Sequence, residues 1–319
     1  MVTALVFGLS VGAACASGAE GQAARGAAAG VDVDGKMEHG GYTRTYLVHL
    51  PKGYTGKSPV PLVLSFHGRH GQGKGQAKLT GFSEVADRHG FIVVYPDGID
   101  KSWNAMHGAG PAQEKGVDDV GFVDALIDRL QAEYAIDPNR VYAAGMSNGG
   151  FFSHRLGCEL STRLAAIASV AGQMGPELAE ICDPAEPVAV LDIHGTKDRI
   201  VPYDGGETKG GGALLSVEDT VDTWRQLNDC AMRSDVTLDK GDASCRTYRG
   251  CSAPVELCTI EGAGHTWPGG HQYMPRLLVG TTNRDVDASE LIWEFFENNP
   301  KRTSIRRGSG RKQPAERKK

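Results

Sequence analysis

The segment Gly145-Met146-Ser147-Asn148-Gly149 sets a serine between glycines, directly after an apolar stretch and directly before residues of helical spacing. A serine hydroxyl attacks a carbonyl only if something removes its proton. The flanking glycines permit a strained strand-to-helix turn that lifts the hydroxyl off the sheet edge, and the helix start aims N–H groups at developing negative charge. The pattern G-x-S-x-G is short and arises by chance, so its place between strand and helix carries the argument. Ser147 is the expected nucleophile.

Such turns occur with an acid and then a histidine later in the chain. Leu191-Asp192-Ile193-His194-Gly195-Thr196-Lys197-Asp198 runs from an apolar strand into a loop, and Asp198 lies past the strand's end. Asp192 falls inside the strand, so it is expected to be structural. Gly262-Ala263-Gly264-His265-Thr266-Trp267 follows another apolar run, with small residues that give an imidazole room. His271 also follows Asp198 but lacks that setting. His265 is therefore expected to take the Ser147 proton, and Asp198 to fix its tautomer.

A tetrahedral intermediate needs N–H donors as well. The residue after the nucleophile, Asn148, supplies one backbone N–H, and the loop His67-Gly68-Arg69-His70-Gly71 supplies a second, assigned to Arg69. His67 and His70 are expected to shape that loop. No CxxC pair or HExxH accompanies them, and no metal is expected.

These residues need elements to position them. Thr43 to Leu50 alternates polar and apolar and reads as an outer strand. Val60 to Phe66, Phe91 to Tyr95, Arg140 to Ala144, Ala165 to Val170 and Val188 to Ile193 are near-continuous apolar runs, as expected of strands buried on both faces. Asp119 is placed to cap a helix through Phe122, Ala125, Leu126 and Leu130. Further helices are expected from Asn148 to about Leu156, over Val217 to Leu227 and over Ser289 to Phe296. Alternating β and α segments imply an α/β fold: one domain with a mainly parallel central sheet covered by helices on both faces.

Residues 1–16 carry no charge and end in Ala14-Cys15-Ala16, a small-x-small cleavage site, so they read as a secretory signal, although no Lys or Arg precedes the apolar run. Lipid attachment at Cys15 is the alternative, weakened by Gly12, where a bulky aliphatic residue is expected. Residues 17–42 form a Gly/Ala-rich segment, 43–299 the catalytic domain, and 300–319 a basic tail expected to be disordered. That tail holds +8 and the rest of the chain −13. An acidic body with a short basic end is a poor fit to nucleic acid, and no apolar run of eighteen residues is available to span a membrane. Six cysteines follow Cys15, an even number that suits three disulfides in an exported chain. Fifteen connectivities are open. Cys245 and Cys258 flank an expected hairpin turn, Cys158 and Cys182 bracket one helix-to-strand unit, and Cys230 is then left with Cys251.

The chain resembles the bacterial polyhydroxybutyrate depolymerase and feruloyl esterase group, close to carbohydrate esterase family 1. The matching stretches are FHGRHG, YPDG, Ser102-Trp103-Asn104, DDVGF, GMSNGG, IHGTKD-RIVPY and GHTWPGG, followed by QYMPRLLVG and DASELIWEFF, within residues 43 to 299. The resemblance implies an α/β-hydrolase fold, the triad above, no cofactor, and the pairings 158–182 and 230–251. It implies a secreted serine esterase, expected to act as a monomer on aryl or acyl esters, polysaccharide esters or polyesters. Trp103 and Trp267 are candidates for the wall of the acyl or alcohol pocket, with plain packing as the alternative. Two other readings stand beside it: a binding protein that kept the fold without catalysis, and an acyltransferase or serine peptidase.

Overall fold

A computed structural model describes residues 30–108, 110–208 and 212–301. The expected leader with Cys15, most of the Gly/Ala-rich segment and nearly all of the basic tail lie outside the described residues.

The sheet begins earlier than the sequence suggested. β1 (Val31–His39) pairs antiparallel with β2 (Tyr42–Leu50) in unbroken register, from Val31 opposite Leu50 to His39 opposite Tyr42. Gly40 and Gly41 turn the chain between them, both at positive φ, as a two-residue hairpin requires. β2 is therefore an inner strand, whereas the sequence pattern pointed to an outer one. The signal in β1 is weak because it is a half-exposed edge (VDVDGKMEH) with a glycine inside. That glycine has a use: a Cβ at Gly35 would stand 2.1 Å from the Tyr46 ring.

From β2 the ten-stranded sheet continues through β4 (Ile92–Pro96), β3 (Val60–Phe66), β5 (Ile136–Met146), β6 (Ala166–Val170), β7 (Ala189–Gly195) and β12 (Val255–Ile260). These last six run parallel to their neighbours, as buried apolar strands joined by helices must. β11 (Ala243–Tyr248) and β10 (Ser234–Lys240) close the far edge as an antiparallel meander, and β8 (Gly206–Glu207) with β9 (Ala213–Leu214) forms a separate two-stranded ribbon.

Helices cover both faces. On one, α4 (Asp119–Glu133), α5 (Asn148–Glu159), α6 (Pro176–Ile181) and α7 (Val217–Leu227) bury Leu126, Phe152, Leu178 and Trp224 against Leu62, Leu64 and Val190. On the other, α1 (Gly73–Thr80), α2 (Phe82–His89) and α9 (Ala288–Asn298) close over Val63, Val93 and Leu191. Two short helices, α3 (Pro111–Glu114) and α8 (Arg276–Val279), lie in loops. Three disulfides join Cys158 to Cys182, Cys230 to Cys251, and Cys245 to Cys258. The last pair sits directly opposite across β11 and β12.

The cap of α4 differs from expectation by one residue, with a consequence. Asp118 is the N-cap and accepts from the Gly121 N–H at 2.9 Å. Asp119 instead turns inward, fully buried, to meet Arg44 from β2 at 2.7 Å, while its second oxygen accepts from the Asn104 N–H at 2.8 Å. The guanidinium lies 3.8 Å from the Phe122 ring centre. Removing one member of such a pair strands a buried charge, at a cost of about 3–5 kcal/mol, whereas replacing both with apolar groups is often neutral. Urea unfolding at neutral pH should therefore show Asp119→Ala destabilised by about that amount, and Arg44→Met/Asp119→Leu much less so. Equal losses in the two variants would contradict this account.

Candidate active site

The carboxyl ends of β3, β5, β7 and β12 lie along one edge of the parallel sheet, and each leads into a loop that carries an expected site residue. β5 ends at Met146 and α5 begins at Asn148, so a single residue, Ser147, makes the whole turn. It adopts φ 56° and ψ −123°, a sparsely populated conformation for a residue with a Cβ. Its glycines are needed for close approach. A Cβ at Gly145 would stand 2.2 Å from Gly149 O, and one at Gly149 would stand 2.2 Å from Phe66 O on β3. The Ser147 N–H donates to Val170 O at 2.9 Å, and its carbonyl accepts from the Phe151 N–H at 2.9 Å. Within Gly145–Gly150, Ser147 alone is not buried.

Asp198 and His265 are brought into direct contact. β7 and β12 are neighbours, and the loops that follow them are stitched together: Thr196 N–H to Ile260 O at 3.0 Å, Lys197 N–H to Ala263 O at 2.9 Å, Gly262 N–H to the Thr196 hydroxyl at 2.8 Å. The Asp198 Oδ1 accepts from the Ile200 and Val201 N–H groups at 2.8 and 2.9 Å. That leaves Oδ2 for His265 Nδ1, 2.6 Å away. A carboxylate only accepts, so the shared proton belongs to Nδ1 and the Nε2 lone pair is available to a hydroxyl. Both side chains are almost wholly buried. Burial alone would raise the Asp198 carboxyl. The charge and hydrogen bond of His265, with His194 and the Val201 N–H, outweigh it and hold the group below its usual 3.8. Among the described residues the Ser147 hydroxyl makes no hydrogen bond, to His265 or to any other group, a looseness common in sites without substrate.

The loop after β3 lies beside the serine. A Cβ at Gly68 would be 3.3 Å from Ser147 Cβ and 3.8 Å from its Oγ. Asn148, whose backbone opens α5, uses its side chain elsewhere: Oδ1 accepts from the Trp103 N–H at 2.7 Å and Nδ2 donates to Trp103 O at 3.1 Å.

The two tryptophans read as pocket walls are not walls. Trp103 is fully buried, stacked on Phe152 and edge-on to Phe66, with its Nε1–H donated to His67 O at 2.9 Å. Trp267 is fully buried on the opposite face of the sheet, edge-on to Phe82, and donates to the Ser289 hydroxyl at 3.0 Å. Adjacency to His265 in sequence misled here, because the chain dives into the core within two residues. Both indoles are packing residues with a satisfied N–H.

Sequence reasoning passed over a buried polar column on one face of β7. His194 Nε2 donates to Val201 O at 3.0 Å and lies 3.6 Å from the Asp198 carboxylate. Burial lowers its pKa against the pull of Asp198 and Asp192, so the ring is neutral. Asp192, two residues earlier, lies 3.4 Å from His154 Nε2, and Trp224 donates to the other nitrogen of His154 at 3.0 Å. Polar residues at alternate positions of an apolar strand were the available signal.

A model for the esterase PHB depolymerase family matches residues 44–183. Putative esterase NocK of Nocardia uniformis subsp. tsuyamanensis is 30% identical over 276 residues, covering 80% of each chain. The chain belongs to the esterase PHB depolymerase family. Feruloyl esterase C of Emericella nidulans is 28% identical over 261 residues, covering 79% of this chain and 83% of that protein. In fold the esterase is similar to the acetyl xylan esterase from Aspergillus awamori, with a TM-score of 0.58 at 12% identity, over 83% of this chain and 99% of that one. It is a serine carboxylic-ester hydrolase on the α/β-hydrolase fold. Among the described residues the one cluster of metal-type donors is Cys245, Glu256 and Cys258, whose two sulfurs are joined in a disulfide.

The depressed Asp198 carboxyl ties stability to pH in one direction. The unfolded chain takes up this proton at higher pH than the folded one, so the stabilisation is complete above the unfolded value, about 3.9. It is lost as pH falls through the folded value. Urea unfolding should show Asp198→Asn less stable than the parent at about pH 6, with the gap closing below about pH 4. A gap that widens on acidification would refute the assignment.

Proposed function

We propose that this esterase works through an acyl-enzyme on Ser147, with His265 as general base and acid and Asp198 as the orienting carboxylate. The observation that carries the reading is the Asp198–His265 hydrogen bond, since it settles which imidazole nitrogen bears the proton. His265 Nε2 takes the Ser147 proton as Oγ attacks the ester carbonyl, then gives it to the departing alcohol. Water enters, loses a proton to the same nitrogen, and releases the acid from Oγ. Ester and water balance the reaction, so no cofactor is called for. The negative charge of each tetrahedral intermediate falls to the backbone N–H groups of Asn148 and Arg69. The first of these heads α5, among the four N–H groups that a helix leaves without an internal partner. Each such donor is typically worth about 3 kcal/mol of barrier.

The substrates proposed are feruloyl or acetyl esters of plant polysaccharide, or polyhydroxyalkanoate esters. Two things support this. The relatives bear feruloyl esterase and acetylxylan esterase names. A strip of exposed apolar side chains, Tyr273, Met274, Leu277 and Leu278, is also tethered to the site, the Tyr273 hydroxyl donating to His265 O at 3.1 Å. Such a strip offers a landing place for an aryl or alkyl group. Export is proposed on the same footing, from three disulfides of a kind that persist in oxidising compartments.

The test is hydrolysis of methyl ferulate, acetylated xylan, p-nitrophenyl acetate and a polyhydroxybutyrate suspension, with Ser147→Ala as control. The variant should fold normally and lose turnover by roughly 10⁶-fold. Ferulate or acetate release selects the plant-wall reading, and clearing of the suspension selects the polyester. Near-parental turnover in Ser147→Ala would defeat the mechanism, and a parent inert on every ester would favour a binding protein.

A further inference from the structure

His67 is the first residue after β3, and both of its ring nitrogens are engaged. Nε2 lies 3.0 Å from the Gly98 N–H, and Nδ1 lies 2.8 Å from Gly68 O. A backbone N–H can only donate and a carbonyl can only accept. Nε2 is therefore bare, Nδ1 carries the proton, and the ring is neutral in a single tautomer. Burial lowers its pKa, which acts in the same sense.

The Gly68 carbonyl takes a second hydrogen bond, from the Gly71 N–H at 2.9 Å. Across a trans peptide the C=O and the following N–H point in opposite directions, and no cis bond occurs among the described residues. Two donors that pin Gly68 O therefore turn the Arg69 N–H to the opposite face of that peptide. Gly68 itself is the residue of this loop that lies against Ser147. The partner of Nε2 is held just as firmly. Gly98 sits in the Pro96-Asp97-Gly98 turn, whose Asp97 carboxylate accepts from the Thr45 hydroxyl at 2.6 Å and from the Gly73 N–H at 2.7 Å. Were the proton on Nε2, it would oppose the Gly98 N–H, and a bare Nδ1 would face the Gly68 carbonyl.

We propose that His67 is a positioning residue of the oxyanion hole, its Nδ1–H holding the Gly68–Arg69 peptide in the orientation that presents the Arg69 N–H on the Ser147 side. The Gly98 N–H sets the tautomer that makes this hold. The proposal rests on the reading of Ser147 as nucleophile and of the Arg69 N–H as an oxyanion donor.

The test compares His67→Asn, His67→Gln and His67→Phe in the full chain, with Ser147→Ala alongside. An Asn amide can place its N–H near the position of Nδ1, whereas a Gln amide reaches the position of Nε2. Losing an oxyanion donor costs about 10²–10³ in kcat. His67→Phe and His67→Gln should lose about that factor in kcat with KM shifted less than about threefold, and His67→Asn should stay within about tenfold of the parent. Affinity for a phenylboronic acid, which forms a tetrahedral adduct on the serine, should fall in parallel with kcat. Three results would overturn the proposal: unchanged kcat in His67→Gln, equal losses in the Asn and Gln variants, or lost turnover with boronate affinity intact. Should His67→Phe fail to fold by near-ultraviolet circular dichroism, the Asn and Gln contrast decides alone. Turnover retained in Ser147→Ala would instead fault the nucleophile assignment, whatever the His67 variants do.

Discussion

A serine at φ 56° and ψ −123° stands in a region that costs roughly 1–3 kcal/mol, and it stays there only because its surroundings leave it no alternative. The constraint comes from both sides. Behind it, β5 is fixed between β3 and β6; ahead of it, α5 is packed on that same pair of strands. Gly145 and Gly149 let the two meet at a separation that any Cβ would forbid. The strand edge, the helix start and the loop after β3 all take their places from this turn. Asn148 extends the influence outward, because its amide grips Trp103 by both backbone groups and Trp103 in turn holds His67 O.

How much of this was legible in the sequence follows from how each residue is buried. Strands covered on both faces announce themselves, and Val60–Phe66 was bounded correctly because nothing polar interrupts it. Helix α7 was bounded correctly as well, with Ser216 as a capping residue and a charged outer face. The edge strand β1 escaped notice because only part of one side is covered, so its residues need not be apolar. Asp118 and Asp119 are identical in kind and adjacent; only the location of Arg44, seventy-five residues away in sequence, decides which one caps and which one is buried. Trp103 and Trp267 show the same limit, since a sequence gives the proximity of an indole to the site but not the side from which it approaches.

The face of the sheet beneath α4, α5 and α7 carries an unusual load of polar groups: Arg44 with Asp119, His154 with Asp192, and His194 beside Asp198. Buried pairs of this kind are weak contributors to stability and strong selectors of arrangement. Each here joins elements distant in the chain and works toward the loops at the sheet's edge. Arg44 and Asp119 fix Asn104, and hence the segment bearing Trp103; His194 stands behind the carboxylate that meets His265. The disulfides act elsewhere. They clamp α5 to the end of α6 and brace the β10–β12 meander at the periphery, leaving the strands under the site to packing and hydrogen bonds.

The strand order has one further implication. β1 to β5 fill one half of the sheet and β6 to β12 the other, with the midline running between β5 and β6, and α9 reaches back from the chain's end onto α2 and β5. Ser147 issues from the last strand of the early half, Asp198 and His265 from strands of the late half. The proposed nucleophile and its acid–base partners thus belong to two blocks of chain made one after the other. Hydrolytic turnover then serves as a proximity gauge for that midline: it registers the joining of the two blocks, which neither block can signal by folding alone.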